Sequence, residues 1–180
     1  MANFDDLRLE TPRLILRPPR AEDLDPWSDL MQDEVAARFI GGVTSRPICW
    51  RQLMTMIGAW YSEGFAMFSV IEKSTGRWVG RVGPWRPDGW PGDEIGWAVS
   101  RQCWGRGYAV EGAIAAANWA FDTLGWSEMI HSIAPDNLAS QRVAEKLGSR
   151  NRGAGKLPPP YEGEAVDIWA QSREQWVARR

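Results

Sequence analysis

Arg101-Gln102-Cys103-Trp104-Gly105-Arg106-Gly107-Tyr108-Ala109 is the stretch on which the reading of this chain turns. An apolar run, Glu94-Ile95-Gly96-Trp97-Ala98-Val99, leads into it, and residues 109–123 read as a long helix leading out. A strand, a glycine turn and a helix present free backbone N–H groups to a phosphate. Two glycines one residue apart let the backbone curl and approach a ligand with no Cβ in the way. The turn is expected to hold a pyrophosphate; the alternative is a strand-to-helix turn with no ligand.

Outward from the turn, residues 11–17 read as a strand that includes Pro12 and is closed by Pro18-Pro19. Helices are expected at 22–32 and 48–61, the second stopping at Gly64. Residues 65–71 are apolar enough for a strand buried on both faces. Residues 78–85 form the next strand, and Pro87, Gly89, Pro91 and Gly92 mark a loop before the strand at 94–99. Strands joined by short turns predict antiparallel pairing. Past the turn, Val110, Ala113, Ile114, Ala117, Phe121 and Leu124 form a buried stripe at helical spacing. Residues 129–134 follow as a strand, which completes a βαβ-like crossover. Asn137 is placed to cap a helix that stops at Gly148. Residues 153–163 read as loop, 165–170 as a last strand and 174–180 as a short polar tail.

A chain of 180 residues suits one domain, here 1–180. The net charge of -2 creates no field to recruit nucleic acid or an anionic membrane, so neither partner is expected. No apolar run reaches the ~20 residues that cross a bilayer, and the start lacks signal-peptide order. Cys49 and Cys103 suggest no disulfide framework, and the cytoplasm is the expected location. With His131 the single histidine, no typical zinc site can be built, and no metal is expected. A serine-hydrolase elbow is absent. The 12 tryptophans run from Trp27 to Trp176 and are assigned to the core or a groove. Composition leaves a homodimer open.

Both well-known phosphate cradles fail at the turn. A dinucleotide-binding turn needs a third glycine where Val110 stands, and no Gly-Lys-Ser/Thr loop occurs. The pattern that fits is Gln/Arg-x-x-Gly-x-Gly/Ala, as Gln102-Cys103-Trp104-Gly105-Arg106-Gly107. It resembles the acetyl-coenzyme A signature of the GNAT family of N-acetyltransferases. Residues 137–148, from Asn137 and Ser140 through Lys146 to Gly148, are similar to the Asn-x-x-Ser-x-x-x-x-x-Lys-x-Gly stretch of the RimJ/RimL-like branch. Best known there are enzymes that acetylate ribosomal-protein N-termini. Residues 9–17 resemble that branch's opening strand. Ser149 departs from the pattern, because many relatives carry an aromatic or bulky apolar residue there.

The resemblance implies a mixed α/β fold, with a mostly antiparallel sheet splayed between its fourth and fifth strands. It implies acetyl transfer from acetyl-coenzyme A to a primary amine by direct attack. Backbone groups of Ala98 and Val99 would pair with the pantetheine arm. The signature opens at Gln102, and N–H groups of Gly105, Gly107, Tyr108 and Ala109 would hold the pyrophosphate. Arg106 either reaches a phosphate oxygen or stays solvated. Asn137 would approach the pantetheine, and Ser140 would lie near the thioester sulfur, as an acid for the departing thiolate or as a helix cap. Glu94 is the implied base; Asp93 one position away faces the other side, and register decides between them or a water chain. Tyr161 competes with Ser140 as the acid, and His131 is read as a neutral packed ring. Cys103 lies in the phosphate turn, badly placed for a covalent intermediate. The acceptor stays open between a protein N-terminus and an aminoglycoside, polyamine or amino acid, as does a non-catalytic acyl-coenzyme A module.

Overall fold

The computed structural model describes residue 4 and residues 6–179. Residues 1–3, 5 and 180, which belong to the terminal stretches considered above, lie outside them. Strands β1 (Leu9–Glu10), β2 (Leu14–Arg17), β3 (Phe68–Glu72), β4 (Trp78–Trp85), β5 (Glu94–Val99), β6 (Glu128–Ile133), β7 (Arg150–Gly155) and β8 (Val166–Ser172) form one sheet. Its order is β1-β2-β3-β4-β5-β6-β8-β7. Every neighbouring pair is antiparallel except β5 and β6. Those two are parallel and share a single register pair, Glu94 with Ile130. Beyond it they part. The expected splay is present, between the fifth and sixth strands because the first expected strand is two.

Helix α1 (Leu24–Gln32), the short α2 (Glu34–Ala37) and α3 (Arg46–Ser62) connect β2 to β3. Helix α4 (Tyr108–Trp119) follows the glycine turn, α5 (Leu138–Leu147) follows β6, and α6 (Arg173–Val177) ends the described chain. Val82 and Arg81 are consecutive on β4 and point to opposite faces. Val82 faces α4, where Gly112 lets the helix come close; a Cβ there would meet Val82 carbons at 3.5 Å. Ala113, Ala116 and Ala117 are fully buried on the same helix, so small residues set its approach to the sheet. The Arg81 face is covered by α1 and α3, with Trp27 of α1 beneath the Arg81 guanidinium. None of the described helices is long and apolar enough to cross a membrane.

Several bounds differ from expectation, each for a local reason. The strand at 11–17 divides because Thr11 Oγ accepts from Leu14 N at 2.9 Å, folding a turn between β1 and β2. The strand expected from residue 65 begins at Phe68. Phe65 instead packs edge-on against Trp126, and Met67 O accepts from Trp60 Nε1. The helix expected at 22–32 opens as a 3-10 turn, Ala21–Asp23, and the one expected at 48–61 starts at Arg46 with Pro47 in its first turn. Helix α4 closes through a wider π turn at Ala120–Leu124 before Gly125. The loop expected at 153–163 holds the end of β7, and the polar tail holds α6 with a Ser172 cap.

Candidate active site

Alternation along β4 and β5 decides which backbone groups face the gap. Ser100 N donates to Val79 O, so the pairs Arg81–Ala98 and Gly83–Gly96 spend their N–H and C=O on one another. Ile95, Trp97 and Val99 therefore turn theirs toward β6. Ile130 N donating to Asp93 O at 2.8 Å obeys the same parity. Ala98, expected to present its backbone to a ligand, faces β4 instead; Trp97 takes that place beside Val99. The Val99 carbonyl already accepts from Trp104 Nε1 at 2.7 Å.

His131 spans the point where the strands part. Its Nδ1 lies 2.6 Å from Ile95 O, which can only accept, so Nδ1 carries the proton. Nε2 then accepts from Ser149 Oγ at 2.9 Å, and Gln171 Nε2 donates to that hydroxyl at 3.1 Å. Burial lowers the His131 pKa to about 4, so the ring is neutral. It gives Ile95 O the partner that β6 no longer supplies. The small, buried Ser149 is what leaves room for this relay.

At the glycine turn, Gly105 and Gly107 have φ values of 74° and 80°. This left-handed region is open to glycine at no steric cost. Gly107 is the N-cap of α4, and among the described residues no side chain caps the helix, so its leading N–H groups meet no side-chain acceptor. The turn is braced from a distance. Arg13 Nη1 donates to Arg106 O at 2.8 Å, and Arg13 Nε donates to Glu111 Oε2 at 2.7 Å. Thr11 Oγ donates to Glu111 Oε1 at 2.6 Å. Tyr108 packs under the Arg13 guanidinium and donates its hydroxyl to Glu72. Arg106 turns to Glu72 at 3.4 Å instead of standing free in solvent. Hydrogen bonds from Thr75 and Tyr108, with Arg77, hold the Glu72 carboxyl down at about 2. Arg13, Glu72 and Glu111 carried no local sequence signal.

On the other side of the gap lies a cavity of about 450 Å³. Loop residues Phe39 to Gly42, α3, β4, β5 and the 157–166 segment enclose it. That volume suits a small ligand. Glu94 lies in its wall, 7% exposed, while Asp93 pairs outward with Arg86 at 2.7 Å. Register thus turns Glu94, not Asp93, to the cavity. Trp90 Nε1 donates to Glu94 at 2.5 Å, and Ser132 donates from its hydroxyl at 3.0 Å and its N–H at 3.3 Å. These bonds favour the carboxylate, but burial outweighs them and raises the pKa to about 7.

Asn137 caps α5, its Oδ1 accepting from Ser140 N at 3.1 Å. Ser140 Oγ accepts from Trp97 Nε1 at 3.2 Å. With a lone pair committed to the indole, the hydroxyl proton is free to point elsewhere. Trp97, Asn137 and Ser140 all line the cavity, which therefore reaches the gap between β5 and β6. Tyr161 lines it too, edge-on to Trp90 with ring centroids 6.3 Å apart. The predicted residues fall into two groups: the glycine turn at the start of α4, and Glu94 with Asn137 and Ser140 around the cavity.

The family pattern described as the acetyltransferase (GNAT) domain matches residues 13–150. The chain belongs to the GNAT family. It is an acetyltransferase, with the sheet and splay already described. Bacillus licheniformis has a relative, the uncharacterized N-acetyltransferase p20, that is 26% identical over 164 residues, covering 89% of this chain and 92% of its own. The uncharacterized protein YkkB of Bacillus subtilis is 37% identical over 87 residues, covering 47% of this chain; the match spans only 51% of that protein. Among solved structures, an acetyltransferase from Agrobacterium tumefaciens superposes with a TM-score of 0.81 at 28% identity, covering 96% of this chain and 98% of that one. The ribosomal L7/L12 α-N-protein acetyltransferase RimL, solved in complex with coenzyme A, shares the fold alone at 16% identity. Its TM-score is 0.75 over 92% of this chain and 98% of that one.

Proposed function

We propose that this GNAT protein moves an acetyl group from acetyl-coenzyme A to a primary amine by direct attack. The observation that carries the reading is the continuity of the site. An uncapped helix start and a strand edge that β6 leaves unpaired lie at one end of the β5–β6 gap, and a cavity bearing Glu94 and Ser140 opens from it. In this reading the N–H groups of Gly105, Gly107, Tyr108 and Ala109 hold the pyrophosphate. Arg106 swings from Glu72 to a phosphate oxygen or stays as its counter-ion. Gln102 begins the turn, and Trp97 with Val99 pairs with the pantetheine as an added strand would.

A protonated amine cannot attack, and Glu94 is the group that can take its proton near neutral pH. The neutral amine nitrogen then bonds to the thioester carbonyl carbon, gives up its second proton to solvent as the amide forms, and the carbon–sulfur bond breaks. Ser140, oriented by Trp97, gives its proton to the departing sulfur and recovers one from solvent. Positioning of the two substrates supplies much of the rate. Cys103 is buried in the turn and takes no part. Free, buried Cys49 and Cys103 agree with a reducing compartment, and we place the protein in the cytoplasm.

The test is thiol release from acetyl-coenzyme A against N-terminal peptides, aminoglycosides, polyamines and amino acids. Release matched by an equal amount of acetylated amine supports the proposal. Binding of acetyl-coenzyme A with no release on any amine would make the chain a non-catalytic acyl-coenzyme A module.

A further inference from the structure

One charge in the cavity has no counterpart among the described residues. Arg81 stands directly opposite Ala98 in the β4–β5 ladder, and Trp85, four residues on, stands opposite Glu94. Opposed residues, and residues an even number apart, share a face, so Arg81 and Glu94 look to the same side of the sheet. About 13 Å of strand separates them. Both line the cavity. Between them, Gly83 and Gly96 pair with each other. Met67 Cε lies so close to Gly96 that a Cβ there would meet it at 2.4 Å, which makes Met67 the apolar floor between the two ends.

The Arg81 guanidinium lies over the Trp27 ring at 4.5 Å. Its Nε is sealed from solvent and has no hydrogen-bond partner among the described residues. The buried carboxylate on the same face, Asp23, is already taken. Arg17 holds it from two nitrogens at 2.8 and 2.7 Å, and Ser69 and Arg20 N donate to it at 2.7 and 2.8 Å. Among the described residues no carboxylate acts on Arg81, and burial lowers its pKa to about 10, still charged at neutral pH. A guanidinium offers five donors, and a buried cation with no anion is costly to keep. The donor's phosphates belong at the start of α4, which covers the opposite face of the sheet. The missing anion is therefore the acceptor's.

We infer that Arg81, steadied by Trp27, receives a carboxylate of the acceptor, so that the amine acetylated belongs to a small molecule bearing both an amine and a carboxylate. The inference rests on the proposed acetyl transfer and narrows it. Polyamines and aminoglycosides would bring a second cation to Arg81 and are disfavoured by like charge. Met67 between the ends and Trp85 beside Glu94 suit an apolar linker.

The experiment compares amino acids from glycine to aminohexanoate with their carboxamides, rates being taken per neutral amine because the carboxamide also makes the amine less basic. Spermidine serves as the polycation. Wild-type kcat/KM is expected to favour the best carboxylate over its amide by about tenfold to hundredfold, mostly in KM, the worth of a charge-assisted hydrogen bond. Arg81→Gln should bring the ratio close to one, and Arg81→Lys should restore part of it. Equal turnover of acid and amide by the wild type, or an unchanged ratio in Arg81→Gln, overturns the inference. Thermal shift with the same pairs, with coenzyme A present, separates failure of acetyl transfer from failure of the Arg81 site. Turnover absent on every amine refutes acetyl transfer, while a shift by acids over amides that Arg81→Gln removes still supports the Arg81 site. No such shift refutes it.

Discussion

Replacing Glu94 by Gln should damage the reaction and strengthen the fold, and the pH at which each effect appears is fixed by the same carboxylate. Burial raises its pKa from 4.5 to about 7. A carboxylate raised on folding takes up protons as the chain folds, so stability falls as pH rises from 4.5 through 7. Above that window the ionised group costs about 3 kcal/mol. Glutamine is neutral throughout, but it has one acceptor oxygen for three donors, Trp90 Nε1 and the Ser132 hydroxyl and N–H. That loss offsets about 1 kcal/mol of the gain. Glu94→Gln is therefore expected to be about 2 kcal/mol more stable at pH 8, some 4–8 °C in melting temperature for a chain of this size. The gain should vanish at pH 4.5 and below. Thermal melts at both pH values check it. In the thiol-release assay the wild-type kcat/KM should rise with pH through about 7, and the variant should lose about 10²–10⁴-fold along with that acid limb. A variant that melts below the wild type at pH 8, or keeps both its rate and its acid limb, would refute the role given to Glu94.

Ser140→Ala should lower kcat about tenfold to hundredfold with little change in the KM for acetyl-coenzyme A, as loss of an acid for the leaving thiolate requires. If KM rises and kcat holds, Ser140 only caps and packs. Gly107→Val forces a branched side chain into a left-handed φ of 80° and blocks the backbone approach, so the Kd for acetyl-coenzyme A should rise at least about tenfold by calorimetry. Unchanged affinity would displace the pyrophosphate from this turn. Glu111→Ala removes the partner of Arg13 and Thr11, and should weaken coenzyme A binding about three- to tenfold although Glu111 touches no ligand in the proposed site. Affinity equal to wild type would show that the brace does not shape the turn.

The parts legible in the sequence are those whose signal is local. Trp78–Trp85 and Glu94–Val99 have the expected bounds, since each is an apolar run closed by turn residues. Asn137 caps its helix, because a short polar side chain before an apolar period has little else to do. What was hidden depends on pairing. Strand β7 reads Arg150-Asn151-Arg152-Gly153-Ala154-Gly155, mostly exposed at the sheet edge, and has no apolar alternation to announce it. The exchange of Ala98 for Trp97 follows from hydrogen-bond parity, which the Ser100–Val79 and Ile130–Asp93 contacts fix. Asp93 and Glu94 are told apart only by their register on β6. The Arg13–Glu111 brace joins residues 98 apart, and the Arg81 cavity assembles α3, β4, β5 and the 157–166 segment, so neither leaves a mark at any one place in the chain.

The proposed function requires coenzyme A in the gap between β5 and β6, with its pyrophosphate on the Gly105–Ala109 backbone. Calorimetric titration of the purified protein with acetyl-coenzyme A tests this most directly. Saturable heat that Gly107→Val weakens is the predicted result. An absence of heat up to millimolar acetyl-coenzyme A, with the protein folded, would contradict it.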